Sequence, residues 1–281
     1  MVSDYNLNEF KCYLLETFKA FIEFCQQHGL TYYAAFGTAL GAIRHQGYIP
    51  WDDDVDLCFL REEWEKFEKV AKEELSENFA LLMPNSYRNG RSFYDFVPRV
   101  VDLDSKRREV EGEEDAFYEG KLNHLWVDCF ILDDCPRNAL LDKLYRFRQQ
   151  MIFGLAMGHR RRLNFQKYSP MAKLFVAVLA TLGKCLPLPF LLSLQDKWAQ
   201  GARREKSQRR GEDFLYFSNY QPDFQYCKVQ YSWEEPVQYK PFAGKEFPVP
   251  ADYDSVLKML YGDYMTPPKK EEQVPSHEEM I

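Results

Sequence analysis

Asp52, Asp53, Asp54 and Asp56 place four carboxylates within five residues, directly ahead of the apolar run Leu57-Cys58-Phe59-Leu60. Like charges at that density repel, so a chain keeps them in solvent or gathers them around cations. A solvated acidic turn is one reading, but it gives no role to Trp51 before the cluster or to the β-type run after it. Asp54-Val55-Asp56 has period two. On a strand both carboxylates share a face, while Val55 and Leu57 point into the core. Two carboxylates so placed can bridge hard divalent cations such as Mg²⁺, which take oxygen ligands, and the chemistry expected there is chemistry on phosphates. Upstream, Gly37-Thr38 forms a small turn that opens a helix. Glycine and a hydroxyl residue at a helix start turn free backbone N–H groups and the positive dipole end toward an anion. A plain helix N-cap uses the same residues.

Gly-Thr, a helix, then Asp-x-Asp one element later is the order found in the polymerase-β-like nucleotidyltransferases. Residues 36–60, FGTALGAIRHQGYIPWDDDVDLCFL, resemble the signature of the LicD family, which includes the fukutin-type transferases. Leu125-Trp126-Val127-Asp128-Cys129-Phe130-Ile131-Leu132-Asp133 resembles that family's later acidic strand, although Cys129 and Cys135 stand where aliphatic or small residues are expected. The segment from Phe242 to Pro250, with Tyr253 and the run Leu260 to Pro268, resembles its C-terminal region.

The resemblance implies an α/β (α+β) fold with a nucleotidyltransferase-like core of the polymerase-β type. It implies transfer of a phospho-alcohol, phosphocholine or ribitol phosphate, from a CDP-choline- or CDP-ribitol-type donor to a glycan or lipid-linked glycan, with release of CMP. Asp54, Asp56 and Asp128 are the implied catalytic residues and ligands of Mg²⁺ or Mn²⁺. Gly37 and Thr38 are expected to hold donor phosphates. Arg44 either clamps a phosphate oxygen or pairs with a nearby Asp, and His45 beside it either joins the substrate site or packs. Asp52 and Asp53 serve as outer ligands, meet the helix N-terminus or face solvent. Arg99, inside the apolar run from Val97 to Val101, needs a partner: an acidic residue or the donor diphosphate. His277 is expected in the substrate site or as a solvated tail residue. A nucleotidyltransferase moving an NMP, or a silent nucleotide- or glycan-binding scaffold, are the alternatives, and the three intact carboxylates argue against the scaffold.

The chain has 281 residues, 46% of them hydrophobic and 16% aromatic, enough for a sizeable core. Its net charge of −7 argues against nucleic-acid binding, which needs a basic footprint. The N-terminus Met1-Val2-Ser3-Asp4-Tyr5-Asn6 shows neither a basic stretch nor an apolar one. A cytoplasmic location follows as the expectation, with peripheral contact at the inner face of the membrane as an addition to it. Seven scattered cysteines fit reduced thiols, and with no Cys-x-x-Cys pair and five histidines without ligand spacing the sequence argues against a zinc site.

Periodicity predicts an amphipathic helix over 7–28, a short strand over 32–36 and a helix over 40–45. It then predicts a strand over 55–60, a helix over 61–76 facing Trp64, Phe67 and Val70 to the core, and strands over 79–83, 94–101 and 125–132. The polar stretch 104–120 reads as a mobile loop. Helices follow from 139, short aromatic strands or loops over 214–220 and 226–240, and a helix over 252–262. The expected organisation is a catalytic core over 1–136, a mainly helical lobe over 137–212 and a C-terminal segment over 213–281 packing back on the core. Residues 171–194 are mostly apolar but broken by Lys184, Pro187 and Pro189. They read as a buried helical hairpin or as a membrane-interfacial insertion, flanked by Arg160–Arg162 and Arg203–Arg210, which would meet anionic lipid.

Overall fold

A computed structural model describes residues 7–52, 54–106, 113–163, 165, 169–220, 228–231 and 237–273. Asp53 and His277 therefore lie outside the described residues, as do 107–112 of the predicted polar loop.

The fold is mixed α/β. Helix α1 (Leu7–Gln27) buries Leu14, Phe18, Phe21 and Cys25. Steps of four, three and four put these on one face, as the periodicity predicts. The short strand β1 (Tyr33–Ala34) turns into α2 (Phe36–Arg44), and β2 (Asp56–Leu60) runs straight into α3 (Arg61–Glu74). Strands β3 (Phe79–Leu82), β4 (Arg99–Asp102) and β5 (Leu125–Asp134) follow, with the short helix α4 (Glu113–Phe117) between the last two. Sheet order is β1-β2-β5-β4-β3; β2 runs parallel to β5, and the other pairings are antiparallel.

All ten residues of β5 are buried, so it is the spine of the sheet. One edge takes β2. The other is shared end to end by β4, opposite Leu125–Asp128, and β6 (Phe214–Phe217), opposite Leu132–Asp134. The Asn219 amide fills the gap between them. Its Oδ1 accepts the Ile131 N–H at 2.8 Å and its Nδ2 donates to the Cys129 carbonyl at 3.0 Å. This leaves those backbone groups satisfied where no strand lies beside them. Strand β7 (Lys228–Gln230) extends the sheet beyond β6.

One face of the sheet packs Leu57, Phe59, Val127 and Ile131 against α1 and against Trp64 and Phe67 of α3. The hairpin β8 (Gln238–Phe242) and β9 (Lys245–Val249) closes over α1 through Phe242 and Phe247, whose rings meet Phe18 at 5.8 and 4.8 Å. The other face packs Cys58, Phe130 and Leu132 against Phe36, Phe217 and the helix α8 (Tyr253–Tyr261).

A lobe of three helices, α5 (Ala139–Ala156), α6 (Pro170–Gly183) and α7 (Leu188–Ala199), stands beside the sheet. Gly183 lies so close to the Leu155 backbone that a Cβ there would collide with it, which lets α6 meet α5 closely. Ion pairs join lobe and core. Arg61 reaches Asp133 at 2.5 and 2.9 Å and Asp196 of α7 at 2.8 Å. Arg209 reaches Asp134 at 3.0 Å and Glu62 at 2.5 Å.

Five expectations change. Helix α2 starts at Phe36 rather than Leu40, so Gly37-Thr38 lies in its first turn and not in a turn ahead of it. Asp54 lies just before β2 instead of on it. The strand expected over 94–101 begins only at Arg99, because Asp95 Oδ1 takes the Val97 N–H at 3.0 Å and Pro98 has none to give. The polar stretch expected as a loop over 104–120 holds the helix α4. The basic stretches are partly engaged, although Arg162 and Arg210 stay largely exposed. Arg161 and Arg162 pair with Glu113 at 2.6 and 3.0 Å, Arg203 pairs with Glu65 at 2.5 Å, and Arg204 and Arg209 meet Asp134.

Among the described residues no single helix is long and apolar enough to cross a membrane. The stretches Pro170–Gly183 and Leu188–Ala202 have that length and composition only together, and they bend by 117° at the break.

Candidate active site

The acidic residues gather where β2 begins and β5 passes it. Asp56 and Asp128 are register partners across the parallel pair, and both are buried. The Asp56 backbone is held from both sides. Its N–H donates to Thr38 Oγ1 at 2.9 Å, and its carbonyl accepts from the Ala35 N–H at 3.0 Å. The first turn of α2 is thus tied to the acidic strand. Phe36 opens that turn at φ 42°, a left-handed conformation uncommon for a bulky residue. Its ring is wedged among Phe130, Phe217 and Tyr220 at 4.9, 4.8 and 5.1 Å, which holds the strained corner in place. No side chain of the N-cap residue, Ala35, caps the helix. The Asp52 carboxylate lies against Gly37, where any Cβ would strike it.

Charge is concentrated here. Burial first, then the neighbouring Asp54, Asp128 and Asp52, push the Asp56 carboxyl well above the usual carboxylate range, with Arg99 opposing. Arg99, opposite Asp128 across β4 and β5, is itself buried. Its Nε lies 2.9 Å from Asp128 Oδ1, and its other nitrogens reach Asp95 at 2.7 and 2.9 Å. Burial alone would lower this guanidinium; Asp128 and Asp95 outweigh it and hold it above its ordinary value. Trp126 Nε1 donates to the other oxygen, Asp128 Oδ2, at 2.9 Å.

Two tyrosines complete the surroundings. Tyr48 Oη is buried, with no hydrogen-bond partner among the described residues. Burial, then Asp52 and Asp54, push its pKa up. Tyr261 is half-exposed over the whole side chain, yet protein crowding its hydroxyl, followed by Asp56, Asp52 and Asp54, does the same there.

The fold therefore brings together Gly37, Thr38, Asp52, Asp54, Asp56, Asp128 and Arg99. Arg44 and His45 stand at the other end of α2. Arg44 donates to the Tyr264 carbonyl at 2.6 Å and to His45 Nε2 at 2.9 Å, and stacks over Trp51. Trp126, Asp95, Tyr48 and Tyr261 carry no role in the sequence reading. Trp126 was within reach of it, since it lies two residues before Asp128 on the same strand face. Asp95 and Tyr261 were not, because the chain reaches them through irregular or distant segments.

The donor chemistry fits a hard divalent cation: buried carboxylate oxygens whose mutual repulsion a cation would relieve. Among the described residues, no three His, Cys, Asp or Glu side chains are drawn together into a ready-made cage.

Residues 29–168 match the family described as LicD/FKTN/FKRP, nucleotidyltransferase domain. The chain is 28% identical over 276 residues to "Lipopolysaccharide cholinephosphotransferase LicD" of Haemophilus influenzae, covering 96% of both chains. An uncharacterized protein of Rickettsia typhi is 36% identical over 70 residues, 25% of this chain and 23% of its own. Another, of Rickettsia prowazekii, is 44% identical over 41 residues, 15% of each chain. By this match and the similarity along the whole chain, the protein carries a domain of the LicD family over residues 29–168.

Proposed function

We propose that this protein transfers phosphocholine, or a similar phospho-alcohol, from a CDP-activated donor to a hydroxyl of a cell-surface glycan and releases CMP. The full-length similarity to a lipopolysaccharide cholinephosphotransferase supports the class of reaction. The observation that carries it to this chain is the meeting of Asp54, Asp56 and Asp128 beside the first turn of α2. In this reading the core is nucleotidyltransferase-like.

The acceptor hydroxyl oxygen attacks the β-phosphorus in line and gives up its proton to a carboxylate of the site. The bond from that phosphorus to the bridging oxygen breaks, and CMP leaves with the electron pair. Asp54 and Asp56, with Asp128, would hold Mg²⁺ or Mn²⁺, which supplies charge neutralisation at the diphosphate. Arg99 and Trp126 hold the Asp128 carboxylate from either side. The N–H groups of the first turn of α2 face the donor's anionic oxygens, and the Thr38 hydroxyl orients the Asp56 backbone. Most of the rate gain comes from positioning and charge neutralisation.

The test supplies CDP-choline labelled in its phosphocholine moiety, with glycan extract and Mg²⁺. Label moving to glycan with an equal amount of CMP supports the reading. Cytidine on the glycan, or pyrophosphate released from CTP, makes the protein a nucleotidyltransferase instead. No consumption of any activated donor overturns the proposal.

A further inference from the structure

The helical lobe leaves a row of large apolar side chains in solvent. On α6, Met171, Leu174, Phe175, Val178 and Leu182 are 86%, 69%, 46%, 49% and 56% exposed. Their spacing of three, four, seven and eleven residues from Met171 is that of one helix face. Leu179, Ala180 and Gly183, on the other side of the helix, are buried. Phe190, 52% exposed, carries the apolar surface past the turn into α7. Apolar residues scattered singly on a surface need no explanation, but a continuous row marks a partner.

Charge and length identify the partner. The helices α6 and α7 and their turn carry Lys173, Lys184 and Lys197 against one carboxylate, Asp196, which Arg61 already engages at 2.8 Å. Of the arginines flanking the hairpin, Arg161, Arg203 and Arg204 pair with Glu113, Glu65 and Asp134, and the lysines are the cations of the hairpin itself. Helix α6 has 14 residues and α7 has 12. At the usual rise these are about 21 and 18 Å long, short of the roughly 30 Å of a hydrocarbon core. The 117° bend prevents them from adding end to end. Such a hairpin does not cross a bilayer; it can lie in the surface of one.

We propose that the α6–α7 hairpin seats in the interfacial plane of a bilayer containing anionic lipid. The α6 row and Phe190 enter the acyl boundary, while Lys173, Lys184 and Lys197 extend to the headgroups. This surface is separate from the carboxylate site, and the inference stands whatever donor that site takes.

The test sediments the full chain with vesicles of phosphatidylcholine alone and of phosphatidylcholine with phosphatidylglycerol, at low and high salt. The chain is expected to pellet with the mixed vesicles. The pair Leu174→Glu and Phe175→Glu is expected to reduce the bound fraction at least about tenfold. Lys173→Gln with Lys184→Gln weakens binding at low salt and has little further effect at high salt. A second measurement uses Cys185, exposed in the turn, with Cys12→Ser and Cys227→Ser to leave it the labelling site: a polarity-sensitive fluorophore on it should shift to the blue with mixed vesicles. The proposal is overturned by absence of pelleting with either vesicle, by pelleting that the glutamates leave intact, or by an unshifted fluorophore. It is also overturned by a dimer in light scattering that the glutamates dissolve, which would make a second copy of the chain the occupant.

Discussion

Asp56 and Asp128 face each other across the parallel strands β2 and β5, although 72 positions separate them in the chain. Each is buried and each is held by a different device: Asp56 through its backbone, by Thr38 and Ala35, and Asp128 through its side chain, by Arg99 and Trp126. Negative charge is thereby concentrated at a rigid point of the sheet, and the expected outcomes below follow from that arrangement and from the contacts that maintain it.

Asp54→Asn and Asp56→Asn each exchange a carboxylate for an amide, a poor ligand for a hard cation. Each is expected to lower turnover at least about a hundredfold with the fold intact. Because Asp56 is destabilised by its acidic neighbours, Asp56→Asn should melt at or above the wild-type temperature. CMP release and thermal melts on the same preparations check both parts. Near-normal turnover in either variant removes the carboxylates from the mechanism.

Arg99→Met leaves the buried Asp128 and the half-buried Asp95 without their cation. Loss of one partner from a buried charge pair costs about 3–5 kcal/mol, which urea unfolding would read directly. Arg99→Lys should recover only part of this, because a single ammonium cannot reach both carboxylates as the guanidinium does. Full recovery by lysine would show that charge alone matters at this position.

Gly37→Ala drives a methyl group into the Asp52 carboxylate. Because the obstacle is the end of a half-buried side chain, the cost should lie at the low end of the about 1–3 kcal/mol of core overpacking. Adding Asp52→Ala removes the obstacle, so the double variant should be more stable than the sum of the singles implies. Additive losses in the cycle would mean that the two residues do not press on each other.

Asp213 offers a pH test away from the site. Hydrogen bonds from Arg137, at 2.6 Å to each carboxylate oxygen, hold it down at about 2 against an ordinary 3.8. A carboxyl depressed on folding stabilises the protein above its unfolded value, and that contribution fades as pH falls from about 4 toward 2. Asp213→Asn should therefore melt below wild type at pH 5, with the gap closing by pH 2. A gap independent of pH would contradict the assignment.

Much of the scaffold was readable from local pattern. The apolar steps of α1, the alternation into β2 and the run of β5 reflect periods imposed by the backbone itself, so they are visible without knowing any partner. Boundaries were less legible where side chains compete with the ladder. Asp95 and Pro98 end what looked like a long strand, and the aromatic cluster around Phe36 starts α2 four residues early. The acidic cluster was legible for the same local reason: Asp52, Asp54 and Asp56 are neighbours in the chain.

By itself, then, the sequence determined which segments become helices and strands, the position of the acidic turn and the family signature around it. Only the tertiary structure decided what each charge faces. It set Asp56 opposite Asp128, turned Arg99 inward to Asp128 and Asp95, used Asn219 to complete the edge of β5, and spent Arg161, Arg203 and Arg209 on carboxylates far along the chain. It also left the α6 row outside, where the same apolar string could have filled a core. The reason is physical. Periodicity is a property of adjacent residues and is written in order, whereas a buried charge or an apolar face takes its partner from whatever the packing brings within a few ångströms.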